Sequence, residues 1–279
     1  MKGIDIAQWN PVTDYALVAQ QVDFTVLKII NKQNKQDGLF ATHLNGCRAN
    51  NIPIYGVYNY SYADSAAKAI VDARAVINTL KQVGLDTVVW LDIEEESIAK
   101  KLGRTLIDVI MAYKSTIEAA GYKFGVYTGL YYYNIHIKPY IGANNIPMWI
   151  ARYPSSSPMT IKQEPPVNKK PDVPNMVAWQ YSSKGQIAGI KGNVDLDISY
   201  LSYNNIDKPY DPSARPILKY GDSNAYVRAW QTLFNESGYD CGKIDGVFGN
   251  RTLDALIHWQ QDHGIEAGYI GPQTWATIK

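Results

Sequence analysis

Cysteine is almost missing from this chain. Cys47 and Cys241 are the only two in 279 residues, which excludes a disulfide framework and a CxxC metal site. The four histidines, His43, His136, His258 and His263, show neither zinc spacing with cysteines nor an HExxH pair, so no metal or other cofactor is implied. Excess charge of either sign is absent too: 27 Lys and Arg stand against 26 Asp and Glu. A net charge of +1 excludes bulk nucleic-acid binding, which needs a basic surplus. No run of about 18 apolar residues occurs, so membrane insertion is not expected. Met1-Lys2-Gly3-Ile4-Asp5 has no apolar h-region, and no signal peptide is expected. Phenylalanine is scarce at 5, whereas Tyr reaches 21 and Trp 7. An apolar plate with a polar tip suits clefts that stack against sugars or bases, and equally a half-wet core.

What is present centres on Val88-Val89-Trp90-Leu91-Asp92-Ile93-Glu94. The apolar, β-branched start reads as a strand buried on both faces. Positions i and i+2 of a strand share a face, with Cα atoms roughly 6.5–7 Å apart, so Asp92 and Glu94 point the same way. They stand at the C-terminal end of the strand, where (β/α) barrels carry their chemistry. Two carboxylates held together can take different pKa values, one staying protonated and one charged.

The rest of the chain supplies the barrel. Gly3–Trp9, Phe24–Ile30, Ile52–Tyr60 and Phe124–Thr128 read as further strands. Thr13-Asp14 caps a short helix, and Leu39–Asn50, Ser65–Val83 and Leu106–Ala120 read as longer ones. Met148–Tyr153, Met176–Tyr181 and Val194–Ile198 follow without long helices between them, and Pro154–Pro174 reads as a surface loop. The expectation is an α/β, TIM-like barrel with a helix-depleted second half, (β/α)5(β)3, over residues 1–203. Residues 204–215, with Pro209 and Pro212 among Asp and Ser, read as a linker. Residues 216–279 read as a small all-α three-helix domain. Within it, Gly246–Thr252 and Gly268–Thr274 repeat the pattern G-x-x-G-x-x-T, each a glycine turn into a helix start that the Thr, or Pro272, supports. Trp230, Phe234, Trp259 and Trp275 fall at helical spacing and read as its core.

Five segments together resemble the glycoside hydrolase family 25 lysozymes: Gly3-Ile4-Asp5-Ile6, Asp92-Ile93-Glu94, Trp149-Ile150-Ala151-Arg152-Tyr153, Trp179-Gln180-Tyr181 and Val194-Asp195-Leu196-Asp197. Leu218–Ser223, Asp245–Gly249 and Gly271–Trp275 resemble the type-1 peptidoglycan-binding domain. The combination resembles a bacteriophage endolysin. The resemblance implies hydrolysis of the β-1,4 bond between N-acetylmuramic acid and N-acetylglucosamine in bacterial peptidoglycan. It also implies synthesis in the host cytoplasm and dependence on a holin for access to the wall. A wall-binding barrel without catalysis, an N-acetylglucosaminidase and a host autolysin are the competing readings.

On this reading Glu94 is the general acid, protonating the leaving oxygen. Asp92 stabilises charge at the reacting sugar, either as nucleophile or by orienting the substrate's N-acetyl group, and the second is preferred. Asp5 and Asp195 complete the catalytic set by holding the geometry and charge of the pair. Asp197 shares a face with Asp195, and only strand register can separate them. Lys28, Tyr58, Tyr60, Tyr62, Tyr127, Trp149, Arg152, Trp179 and Tyr181 are the expected substrate contacts.

Overall fold

The apolar run before the paired acids forms β4 (Val88–Asp92), every residue of it buried, in a computed structural model that describes residues 1–142, 145–200, 215, 217–223, 225–265 and 268–278. Around it stand β1 (Lys2–Ile6), β2 (Phe24–Lys28), β3 (Ile54–Tyr60), β5 (Lys123–Gly129) and β6 (Met148–Ala151), all parallel in sequential register. Next to β6 runs β8 (Met176–Gln186), also parallel. The ring of eight closes with β9 (Val194–Ser199), antiparallel to both β8 and β1. A two-residue strand, β7 (Met159–Thr160), adds to β8 from inside the long Pro-rich loop.

Helices cover the first half of the ring. Asp14 caps α1 (Tyr15–Ala19), accepting from the Leu17 amide. After β2 comes α2 (Phe40–Ala49), and after β3 comes α3 (Ala66–Val83), whose Ser65 cap accepts from the Lys68 amide. Between β4 and β5 the single expected helix is two: α4 (Glu96–Leu102), capped by Glu95, then α5 (Leu106–Ala119). Gly103, at φ +53°, makes the break, a left-handed conformation that residues with a Cβ rarely take. A short helical stretch, α6 (Leu130–Tyr132) with a π-type turn over Tyr133–Ile137, follows β5. No helix joins β6 to β8 apart from one 3-10 turn (Val167–Lys169). No described helix is long and apolar enough to cross a membrane.

Alternation sorts the strand residues into two layers. Ile4, Leu27, Val57, Val89, Leu91, Val126, Ile150 and Leu196 face outward and join the helices in one apolar core. Inside the ring, Trp149 meets Trp90, Tyr127 and Tyr58 edge-on at 5.8, 4.5 and 6.4 Å between ring centroids. Phe24, stacked on Tyr55 at 4.7 Å and lying over Gly3, fills the end where the parallel strands begin. The Trp90 indole fits only because its neighbours on both sides lack side chains. A Cβ built on Gly56 would lie 2.5 Å from the ring, and one on Gly125 would lie 2.2 Å from it. A packed core of this kind does not absorb added volume freely.

The chain divides into two compact units, Met1–Tyr203 and Asn204–Lys279. The expected linker, residues 204–215, lies outside the described residues except for Arg215. In the second unit α7 (Ala225–Glu236), α8 (Asn250–Asp262) and the short α9 (Pro272–Trp275) surround Trp230, Phe234, Trp259 and Trp275, all buried. The sequence repeat is also a structural one. Gln231 Nε2 donates to the Val247 carbonyl and Thr252 Oγ1, and Gln260 Nε2 donates to the Tyr269 carbonyl and Thr274 Oγ1. The helix caps are Gly249 and Gly271, without side-chain bonds. The two threonines therefore do not cap as expected. Their hydroxyls tie a glutamine to the preceding turn, while Pro272 does sit at the first helical turn.

Replacing Gly125 by Ala should lower stability by about 1–3 kcal/mol, the ordinary cost of overpacking. Thermal or urea unfolding of the variant measures it, and an unchanged midpoint would contradict the packing described.

Candidate active site

Register brings acids from three strands to one mouth. Asp5, near the end of β1, lies directly opposite Asp195 of antiparallel β9, and Gly3 lies opposite Asp197. Register thus separates the two last-strand acids: Asp195 is level with Asp5 and half-buried, while Asp197 lies one layer deeper at 1% exposure. On β4, Asp92 is flanked by Tyr60 of β3 and Tyr127 of β5. Glu94 leaves the strand two residues later, half-buried and close enough to Asp5 and Asp92 for their charges to interact.

Hydrogen bonds join this mouth across the ring. Gln180 of β8 donates from Nε2 to Asp5 Oδ2 at 2.7 Å. Its Oε1 accepts from the hydroxyls of Tyr127 (2.7 Å) and Tyr153 (2.6 Å). Trp149 Nε1 donates to Asp197 Oδ1 at 2.9 Å. The hydroxyl of Tyr60 reaches Glu95 Oε2 at 3.4 Å. Asp92 Oδ1 is buried and has no hydrogen-bond partner in the structure.

Crowded carboxyls in a dry site hold their protons, because desolvation and like charge both penalise ionisation. Burial pushes Asp5 up to about 6, against hydrogen bonds from Gln180 and Asp197 and the charge of Lys28. Burial, then the charges of Asp5 and Glu94, push Asp195 up to about 8. Glu94 is raised by burial first, then by Asp5 and Glu95. Asp92 and Asp197 are raised well above the carboxylate range, in both cases chiefly by burial. Lys28 opposes the rise at Asp92 and lies over the Tyr58 ring at 5.7 Å. Glu95, by contrast, is lowered, chiefly by its hydrogen bond with Ser97, and is a helix cap outside the cluster. Among the described residues no group of three His, Cys, Asp or Glu is arranged to hold a metal ion.

The expected contact residues fall into two sets. Lys28, Tyr58, Tyr60 and Tyr127 lie at the mouth, and Tyr62 packs on Tyr60 at 4.8 Å, with Lys32 Nζ 4.3 Å from the Tyr62 ring centroid. Trp149 lies under them, buried, as a support for Tyr127. Trp179 and Tyr181 are corrected from groove to wall: both belong to the apolar layer outside the sheet, and Trp179 Nε1 donates to the Arg152 carbonyl. Arg152 itself donates to the Lys169 carbonyl of the long loop. Strand parity explains this, since in Trp179-Gln180-Tyr181 the middle residue faces in when its neighbours face out. Gln180 and Tyr153 are the site residues that sequence reasoning passed over, and a polar side chain between two aromatics was the one signal available for Gln180.

The raised carboxyls carry a stability signature. Asp195 binds its proton more tightly folded than unfolded, so its contribution is full below about pH 4 and is lost as pH rises to about 8. Asp195→Asn should flatten that decline and raise the melting temperature at pH 8 by several degrees relative to the parent, while changing little at pH 4. Melting curves across pH check this, and parallel curves for the two proteins would contradict it.

The glycosyl hydrolases family 25 model matches residues 4–190, and the putative peptidoglycan binding domain model matches residues 223–278. The autolytic lysozyme of Clostridium acetobutylicum is 25% identical over 271 residues, covering 95% of this chain and 74% of that protein. The catalytic domain of endolysin ply40, from bacteriophage P40 of Listeria monocytogenes, superposes with a TM-score of 0.56 at 25% identity, over 71% of this chain and 92% of that one. The spore cortex lytic enzyme SleM of Clostridium perfringens gives a TM-score of 0.58 at 23% identity, over 71% of this chain and 66% of that one. Since the first of these models spans well over half of the chain and contains Asp5, Asp92 and Glu94, the chain belongs to glycosyl hydrolases family 25, a lysozyme-type hydrolase of peptidoglycan joined to a peptidoglycan-binding domain.

Proposed function

We propose that the chain cuts the glycan strand of peptidoglycan after N-acetylmuramic acid, with Glu94 as general acid and Asp92 as the group that orients the substrate's acetamide. The observation that carries the second role is Asp92 Oδ1, a buried carboxylate oxygen at the mouth without a hydrogen-bond donor. Leaving such an atom unpaired costs free energy, and an acetamido N–H would satisfy it. Glu94 is the less enclosed of the two and protonates the glycosidic oxygen as the C1–O bond breaks. The acetamide carbonyl oxygen, held by Asp92, forms the new bond to C1 from the opposite face. Water then attacks C1, giving its proton to Glu94 as the bond from C1 to the acetamide oxygen breaks, and the configuration is retained. Burial, with Asp5 and Asp195 beside it, keeps Glu94 protonated in this scheme, and Lys28 favours the charged form of Asp92. Tyr60, Tyr62 and Tyr127 are proposed as sugar contacts, with Trp149 as the support beneath.

Passage to the wall through a holin-type pore made by another protein belongs to the same proposal and rests on the endolysin resemblance alone.

Purified peptidoglycan incubated with the parent should yield new reducing ends at muramic acid. Glu94→Gln should lose that yield by a factor on the order of a hundred or more. Release that survives the change would overturn the acid assignment. New ends at N-acetylglucosamine would overturn the bond assignment.

The acetamide step has its own check. Glycan whose muramic acid has lost its N-acetyl group should resist cleavage, and ¹H NMR should show the β anomer first from the acetylated substrate. Equal cleavage of both substrates, or inversion, would contradict the role given to Asp92.

A further inference from the structure

Of the seven tryptophans, six are at most 6% exposed and Trp9 is 75% exposed. Exposed tryptophan in an otherwise buried set is unusual, since a large aromatic surface normally leaves water. Nor is Trp9 on a loose tail. It sits on the turn that leaves β1 at the mouth, four residues beyond Asp5, and that turn is fixed from three directions. Asn10 Oδ1 accepts from the Ala7 amide at 2.9 Å while the Asn10 amide donates back to the Ala7 carbonyl at 3.0 Å. His43, buried, meets the same carbonyl through Nε2 at 3.1 Å and the Tyr15 hydroxyl through Nδ1 at 2.8 Å. Asn10 Nδ2 donates to the Asn193 carbonyl at 3.1 Å, two residues before Asp195. The segments that follow are joined as well: the Thr13 amide donates to the Gly189 carbonyl at 2.7 Å and the Lys191 amide to the Pro11 carbonyl at 3.1 Å.

The turn that carries the exposed indole is therefore fixed at the rim between the strand end that carries Asp5 and the strand start that carries Asp195. We infer that Trp9 is a sugar-stacking platform, taking the apolar face of a pyranose unit of the glycan beside the two sugars whose linkage is cut. This deepens the hydrolase reading and rests on it. A flat, rigid aromatic with little entropy to lose is the chemistry that binds the C–H face of a sugar ring. Pre-ordering the turn removes most of the cost of presenting it. The platform adds affinity for longer chains without touching the bond that breaks.

The burial of the other six tryptophans makes the test direct. In the free protein, acrylamide should quench one exposed component of the fluorescence, and Trp9→Phe should remove that component. Adding soluble N-acetylglucosamine–N-acetylmuramic acid oligosaccharides to the Glu94→Gln protein should shield it. In the active protein, Trp9→Ala should raise KM for glycan strands roughly three- to tenfold, the effect of one aromatic contact, with kcat within about twofold. Trp9→Tyr should recover most of the loss. An exposed component that stays fully quenchable while calorimetry shows the oligosaccharide bound would overturn the platform. So would an unchanged KM in Trp9→Ala. Failure of the parent to release reducing ends would defeat the hydrolase reading instead, and the shielding experiment, which needs no cleavage, would still decide the role of Trp9.

Discussion

Everything at the mouth depends on the burial of carboxyl groups that the barrel forces together, with their mutual repulsion adding to it. Asp5, Asp92, Glu94, Asp195 and Asp197 come from β1, β4 and β9 or just beyond them, and Lys28 is the cation that acts on Asp5 and Asp92. Five negative charges at this density in a partly dry site cannot coexist, so protons stay on some of them near neutral pH. On the proposed scheme, that shared protonation is what makes an acid catalyst available at a pH where an isolated glutamate would be ionised. Gln180 keeps the arrangement in place by donating to Asp5 and accepting from Tyr127 and Tyr153, so one amide fixes an acid and two rim tyrosines together.

The direction of the last strand has a chemical consequence. Parallel strands present their C-terminal ends at the mouth, as β4 does with Asp92. Because β9 runs the other way, it presents its beginning, and its first acid becomes the mouth residue while the next, Asp197, is carried down to hold the Trp149 indole. Below that, the ring is filled by Trp90, and its fit against Gly56 and Gly125 sets how the walls approach one another. The site thus stands on an aromatic floor that itself depends on two missing side chains.

Much of this was legible in the sequence, because hydrophobic alternation, cap residues and glycine turns are local signals. The eight barrel strands, the cap at Asp14 and the long amphipathic helix after β3 all follow from such signals. What spacing could not supply is which face of a doubly buried strand looks inward. Both faces of β8 are covered, so Trp179 and Tyr181 looked as eligible as Gln180 until pairing with β9 fixed the wall. The first helix after β4, α4, was not anticipated, because its seven residues are too few to show an apolar period. In the smaller unit, the repeat was visible but its physical basis was not, since a glutamine clamp joins residues 16 and 21 positions apart in one copy.

The central claim is that Glu94 holds its proton because of its surroundings. The most direct measurement is a ¹³C NMR titration of the Glu94 side-chain carboxyl in the intact protein. The account predicts a midpoint above the ordinary 4.5 of a glutamate, moving downward when Asp5 is replaced by Asn. A midpoint at the ordinary value, indifferent to that replacement, would contradict it.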